Sequence, residues 1–249
     1  MPTDSAGAAP APVTVLERSL ADLWDRTVAG MTGAARAEFR ATMADMLESW
    51  VWEVENRSHH RVPDPVDYAE MRRRTFGSQL TMYMCRLGHG GRGVPEEIYR
   101  SGTVRSLENA AADIGCLIND IFSYQKEVEF EGDMHNHLVV TRTFFDIGYP
   151  EALHICHSLM KQRVEEFQHI VANLLPRLCE DRGLDAEGRA GLDAYADELR
   201  DWLAGVLNWH RRVRRYGEDE LRRQGGGALA ATVLSSGFGM AAARIGLPV

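Results

Sequence analysis

The chain lacks an excess of positive charge, paired cysteine motifs, alternating apolar runs and any Asp-Asp pair, and each absence narrows what it can be. With 28 Lys and Arg against 36 Asp and Glu, the formal net charge is −8. That excludes a broad phosphate-binding surface, since nucleic-acid affinity needs a clustered excess of Lys and Arg. An anionic ligand must be met locally, by metal or a few arginines. Cys85, Cys116, Cys156 and Cys179 are far apart, form no CxxC pair and come after no secretory leader, which predicts reduced thiols in a cytoplasmic protein. The apolar stretch over residues 228–249 is interrupted by Gly237, Gly239, Arg244, Gly246 and Pro248, so no transmembrane helix and no membrane partner is expected there.

The chain does carry helical spacing. Leu16, Leu20, Leu23, Trp24 and Val28 form one amphipathic stripe, and Phe39, Met43, Met46, Leu47 and Trp50 a second, with Pro63 and Pro65 interrupting the chain after it. Residues 67–87 read as a helix with a discontinuity at Gly77. Ser101 or Thr103 can cap a long helix running through Ile114, Ile121 and Tyr124 toward Glu131. Two more stripes run from Met160 to Leu174 and from Leu199 to Val213. No period-two pattern persists, so the fold class is all-α, with about seven helices. The expected organisation is a disordered Pro/Ala-rich lead over residues 1–13, a helical domain over 14–223 and a glycine-rich tail over 224–249.

On the long helix, Asn119, Ser123 and Glu127 stand at i, i+4 and i+8, which puts an amide oxygen, a hydroxyl and a carboxylate on one face. These are hard ligands suited to Mg²⁺, a cation that keeps positions for water and substrate phosphates. The pattern alone is equally that of a solvated polar face. The complete string Asn119-Asp120-Ile121-Phe122-Ser123-Tyr124-Gln125-Lys126-Glu127 says more: it matches, at each defining position, the NSE metal motif of bacterial class I terpene synthases.

That resemblance implies a class I helical bundle in which Asn119, Ser123 and Glu127 ligate one Mg²⁺ and Lys126 touches the substrate diphosphate. Asp120, about 100° around the helix, is assigned a structural hydrogen bond. The family's diphosphate-sensing arginine falls on Arg73, with Arg72 and Arg74 as competing assignments, and Gly77 falls on the helix break whose freed carbonyl faces the developing cation. Arg215-Tyr216 matches the family's RY pair, which clamps diphosphate on closure. Phe76 and Tyr83 are placed on the substrate cavity. The likeness is closest to the germacradienol and geosmin synthase group, carried by Val62-Pro63-Asp64-Pro65-Val66-Asp67-Tyr68, by Glu131-Gly132-Asp133-Met134-His135-Asn136 and by Leu199-Arg200-Asp201-Trp202-Leu203-Ala204-Gly205.

The departure is the aspartate-rich motif, DDxxD or DDxxxE, which this family carries upstream of the NSE motif and this sequence does not. The bundle is therefore expected to be truncated at its N-terminal side. Two functions stay open: a lyase that ionises and cyclises an isoprenyl diphosphate, farnesyl diphosphate in particular, and an inactive helical partner that assembles as a homodimer or with another cyclase domain. Other signals are weaker. His154, Cys156 and His157, or His135 and His137, fit no structural zinc pattern. Trp24, Trp50, Trp52, Trp202 and Trp209 read either as core, favoured for most of them, or as the lining of an apolar cavity that stabilises carbocations. The run Arg211-Arg212-Val213-Arg214-Arg215 reads either as a solvated face or as a diphosphate lid, with Arg215 favoured.

Overall fold

The computed structural model describes residues 11–87, 93–217, 220, 221 and 223, and among these residues there is no strand. The tail over 224–249 and most of the expected lead lie outside the described residues; residues 11–13 have no regular structure. The α-helices run in the order α1 (Val15–Val28), α2 (Gly33–Ser58), α3 (Pro65–Thr75), α4 (Ser78–Leu87), α5 (Glu96–Tyr99), α6 (Gly102–Tyr124), α7 (His137–Phe145), α8 (Tyr149–His169), α9 (Leu175–Asp181) and α10 (Ala186–Arg212). The all-α expectation holds, with short helices α5, α7 and α9 added to those that periodicity marks.

Local chemistry fixes the helix ends. Thr14 and Glu17 form a reciprocal capping box on α1, and Asp64 caps α3 with Pro65 in its first turn. Of the two possible caps on α6, Ser101 is used: its Oγ accepts the Val104 N–H at 3.3 Å. Gly77 takes φ +75° between α3 and α4, a conformation that favours glycine, so the discontinuity is real.

Helix α6 is the axis of the bundle. Its Val104, Leu107, Ala110, Ala111, Ile114 and Ile118 are buried against Ile170, Leu175, Leu192, Tyr195 and Leu199, so it is covered on several sides by α8, α9 and α10. A polar tie closes the lower end, where Glu108 of α6 is held by Arg86 of α4 and by the Tyr195 hydroxyl of α10. The α1 stripe finds only part of a partner: Trp24 and Val28 are buried on Phe39 and Tyr83, whereas Leu16 is 72% exposed and Leu23 54%. Among the described residues no helix is long and apolar enough to cross a membrane.

Candidate metal and diphosphate site

The C-terminal end of α6 does not continue as an α-helix. At Tyr124 it widens into a π-helical stretch, Gln125–Glu131, which ends at Gly132 in the left-handed region. Asn119 and Ser123 therefore sit on α-helix and Glu127 on the wider coil, a break of phase that i, i+4, i+8 counting misses. Such insertions are frequent where a helix carries function.

Asp120 anchors this end. It is fully buried and accepts from the Tyr68 hydroxyl at 2.9 Å, from Arg72 Nη2 at 2.7 Å and Nε at 3.1 Å, and from the His137 N–H at 2.9 Å and Nδ1 at 2.7 Å. Burial alone would raise its carboxyl, but the Arg72 guanidinium and the His137 hydrogen bond hold it well below the usual carboxylate range. Asn136 adds a second tie, donating from Nδ2 to the Asp120 carbonyl at 2.8 Å and to Glu127 Oε2 at 3.0 Å while capping α7. Asp133 fastens the same loop to α2 through Arg57 at 2.6 Å; against burial, His135 and Arg57 hold it down at about 2.

The prospective ligands are less satisfied. The Ser123 hydroxyl is buried with no hydrogen-bond partner of normal geometry. Burial, and then the nearby Asp120 charge, push Glu127 up to about 7 against the pull of Arg72, Asn136 and Ser123. Asn119 Oδ1 accepts from Arg72 Nη2 at 2.7 Å, and its Nδ2 meets His210 Nε2 at 2.9 Å. A poorly satisfied hydroxyl beside an under-compensated carboxylate and an amide oxygen is a donor set that fits Mg²⁺. Among the described residues no group of three His, Cys, Asp and Glu side chains gathers as a metal site.

A cleft of about 430 Å³ opens beside these groups, lined by Phe76, Asn119, Trp209, His210, Arg215 and Tyr216. Four of the sequence-named residues thus meet in one place. Phe76 and Trp202 close over Gly115, where a Cβ would stand 3.0 Å from Trp202 and 3.3 Å from Phe76. Arg215-Tyr216 lies on a short 3₁₀ turn after α10, and the Tyr216 ring stacks on His210 at 5.4 Å and 2°. Burial raises the Tyr216 phenol, with Arg215 opposing.

Other sequence-named residues stand elsewhere. Arg72, rather than Arg73, reaches Asn119, because Arg73 is forked onto Asp113 at 2.6 and 2.9 Å, a carboxylate shared with Arg163. Arg74 pairs with Asp45. Lys126 is buried and paired with Glu131 at 2.5 Å. The Gly77 carbonyl is not free: it accepts from Thr81 N at 3.1 Å and Oγ1 at 3.2 Å, because α4 restarts at once and uses it. Tyr83 packs on Phe39, and its hydroxyl donates to the Ala35 carbonyl at 2.7 Å. It lies outside the cleft of Asn119 and Tyr216, since α4 turns that face toward α2. Sequence reasoning gave no role to His210 or Asn136 and weighed His137 only for zinc; the segment ending at Asn136 carried a resemblance but no role.

A family model described as "Terpene synthase family 2, C-terminal metal binding" matches residues 1–166. The chain belongs to this family of class I terpene synthases. Pristinol synthase of Streptomyces pristinaespiralis is 32% identical to this terpene synthase chain over 229 residues, 91% of the chain and 60% of that enzyme. Pentalenene synthase of Streptomyces exfoliatus is 30% identical over 223 residues, 86% of the chain and 65% of that enzyme. The terpene synthase chain therefore spans 60–65% of the length of these curated relatives. Linalool/nerolidol synthase from Streptomyces clavuligerus, solved with 2-fluorogeranyl diphosphate, superposes with a TM-score of 0.74 at 25% identity, covering 82% of this chain and 68% of that one.

Proposed function

We propose that this chain binds Mg²⁺ through Asn119, Ser123 and Glu127 and acts on farnesyl diphosphate as the metal-binding part of a sesquiterpene cyclase. The observation that carries the reading is Glu127, pushed up to about 7 by burial and the Asp120 charge beside the buried Ser123 hydroxyl, whose hydrogen bonding is short of normal geometry. A solvated polar face would not leave its carboxylate this poorly compensated. The similar enzymes include a "Sesquiterpene synthase 1" of Postia placenta, 28% identical over 205 residues, which supports a fifteen-carbon substrate.

The cation, when bound, supplies electrophilic assistance to loss of diphosphate. The chain's own groups receive the leaving anion. Arg73 and Lys126 are both held by carboxylates, Asp113 and Glu131, and each exchanges its partner for diphosphate when substrate enters. Arg215 and Tyr216 close the cleft from the end of α10. Phe76, Trp202 and Trp209 give the allyl cation aromatic faces and exclude water from it. Kinship with the germacradienol and geosmin synthase group, and residence in the cytoplasm, belong to the same reading, on the sequence features that point to them.

A second reading, an inactive helical partner that assembles with itself or with a cyclase domain, is favoured by one observation: no Asp-Asp pair occurs in this sequence. Incubation with farnesyl diphosphate and Mg²⁺, with analysis of the volatiles released, separates the two. Cyclic hydrocarbon or alcohol products lost in Glu127→Gln support the cyclase; the absence of product beside an active full-length relative overturns it for this chain.

A further inference from the structure

His210 is 5% exposed and joins two parts of the site that are far apart in sequence. Its Nδ1 lies 2.7 Å from the Val206 carbonyl and its Nε2 lies 2.9 Å from Asn119 Nδ2. The hydrogens can be assigned from chemistry alone. A carbonyl only accepts, so Nδ1 carries a hydrogen. Arginine only donates, so the end of the Asn119 amide facing Arg72 at 2.7 Å is Oδ1, and the end facing His210 is the NH₂ group. Nε2 must then accept. The same ring lies parallel to Tyr216 at 5.4 Å and tilted against Phe122 at 5.6 Å, so its orientation is fixed on several sides.

We propose that His210 is a positioning residue: it locks the Asn119 amide with its oxygen presented to the cation, and it carries the Tyr216 ring, so that metal capture and diphosphate clamping share one side chain. Without the Nε2 acceptor the half-buried NH₂ group loses that partner, and the Arg72 contact at Oδ1 alone no longer fixes the plane of the amide. An amide free to swing about that one contact does not keep its oxygen lone pair aimed at the cation. An amide oxygen has two lone pairs, so Oδ1 can serve both Arg72 and a metal only while the amide is held. Groups that orient a ligand in this way commonly alter metal affinity about 10- to 100-fold when removed.

The role of His210 rests on Asn119 being a ligand, and the experiment keeps the two apart. Binding of inorganic diphosphate as a function of Mg²⁺ is measured by calorimetry for the unaltered chain, His210→Phe, His210→Gln and Glu127→Gln, with thermal melts in parallel. His210→Phe keeps an aromatic ring but loses the acceptor, and should raise the Mg²⁺ half-saturation concentration about tenfold or more. His210→Gln restores an acceptor on a side chain of similar reach and should recover most of that loss. A merely structural role would make both variants track their melting temperatures instead. Loss of Mg²⁺ dependence in Glu127→Gln with no change in His210→Phe overturns the positioning role alone. Retention of Mg²⁺ dependence in Glu127→Gln overturns the metal site and the positioning role with it. If His210→Phe fails to fold, His210→Gln decides: an unchanged Mg²⁺ requirement with weaker diphosphate binding supports the proposal, and a tenfold loss despite its acceptor overturns it.

Discussion

Asp120, fully buried, and Glu127, half-buried, are two carboxylates on one run of chain, and their surroundings are opposite. Asp120 has five hydrogen-bond contacts from Tyr68, Arg72 and His137, and is held ionised. Glu127 has one from Asn136, faces the Asp120 charge and is pushed up to about 7. The contrast amounts to a division of labour: the first carboxylate uses its capacity fastening α3 and α7 to α6, and the second is left short of positive charge, as the proposed cation site requires. The same stitching recurs one helix face along, where Arg73 is forked onto Asp113.

The largest effect is expected at the anchor. Asp120→Ala strands Arg72, whose side chain is 11% exposed, without its carboxylate. Leaving such a charge unpaired should cost about 3–5 kcal/mol in urea unfolding. An effect below roughly 1 kcal/mol would mean that Asp120 is no anchor and that the two carboxylates differ less than their contacts imply.

Glu127→Gln should act in the other direction. In the metal-free protein the carboxyl titrates at about 7 rather than the usual 4.5, so between these values the folded chain keeps a proton that the unfolded chain has lost. That contribution to stability is complete below pH 4.5, declines as pH rises through 7, and leaves a poorly compensated charge as a net penalty above it. The variant removes the penalty. Thermal and urea melts at pH 8 without metal should show it more stable by roughly 1–3 kcal/mol, with the gain vanishing near pH 4.5. Equal stability at pH 8 would place Glu127 in a less demanding environment than this structure gives it.

Two smaller changes mark the boundary of the site. Gly77→Ala forces a side chain onto φ +75° and sets a Cβ 2.9 Å from Met46 Sδ. A loss of about 1–2 kcal/mol is expected, read from the urea midpoint. Tyr83→Phe removes the hydrogen bond to the Ala35 carbonyl and should lower stability by about 1 kcal/mol with no change in Mg²⁺-dependent diphosphate binding. A change in binding would return Tyr83 to the substrate cavity.

The helices were legible because apolar spacing and caps are local: the stripe ending at Val28, the break at Gly77 and the cap at Ser101 can each be read within a few residues. The spacing of Asn119, Ser123 and Glu127 was legible for the same reason. The structural role of Asp120 came from the angle between successive helix positions. Sequence could not show which partner a side chain finds. Arg72, Arg73 and Arg74 are adjacent and chemically alike, and helix phase alone sends them to Asp120, Asp113 and Asp45. The Gly77 carbonyl depends on where α4 restarts, and Tyr83 on which side α2 lies. The π-helical widening after Tyr124 has no composition signal, because its residues are ordinary helix formers. His210 meets Asn119 across 91 residues of chain, a contact that no local pattern encodes.

Thermal melting of the unaltered chain and Glu127→Gln at pH 8, each with and without Mg²⁺ and inorganic diphosphate, tests the metal site most directly. Because a ligand that binds only the folded state stabilises it, Mg²⁺ with diphosphate should raise the melting temperature of the unaltered chain by several degrees. Glu127→Gln should start higher and gain nothing. A full Mg²⁺-dependent rise in Glu127→Gln would contradict the assignment of this carboxylate as a metal ligand.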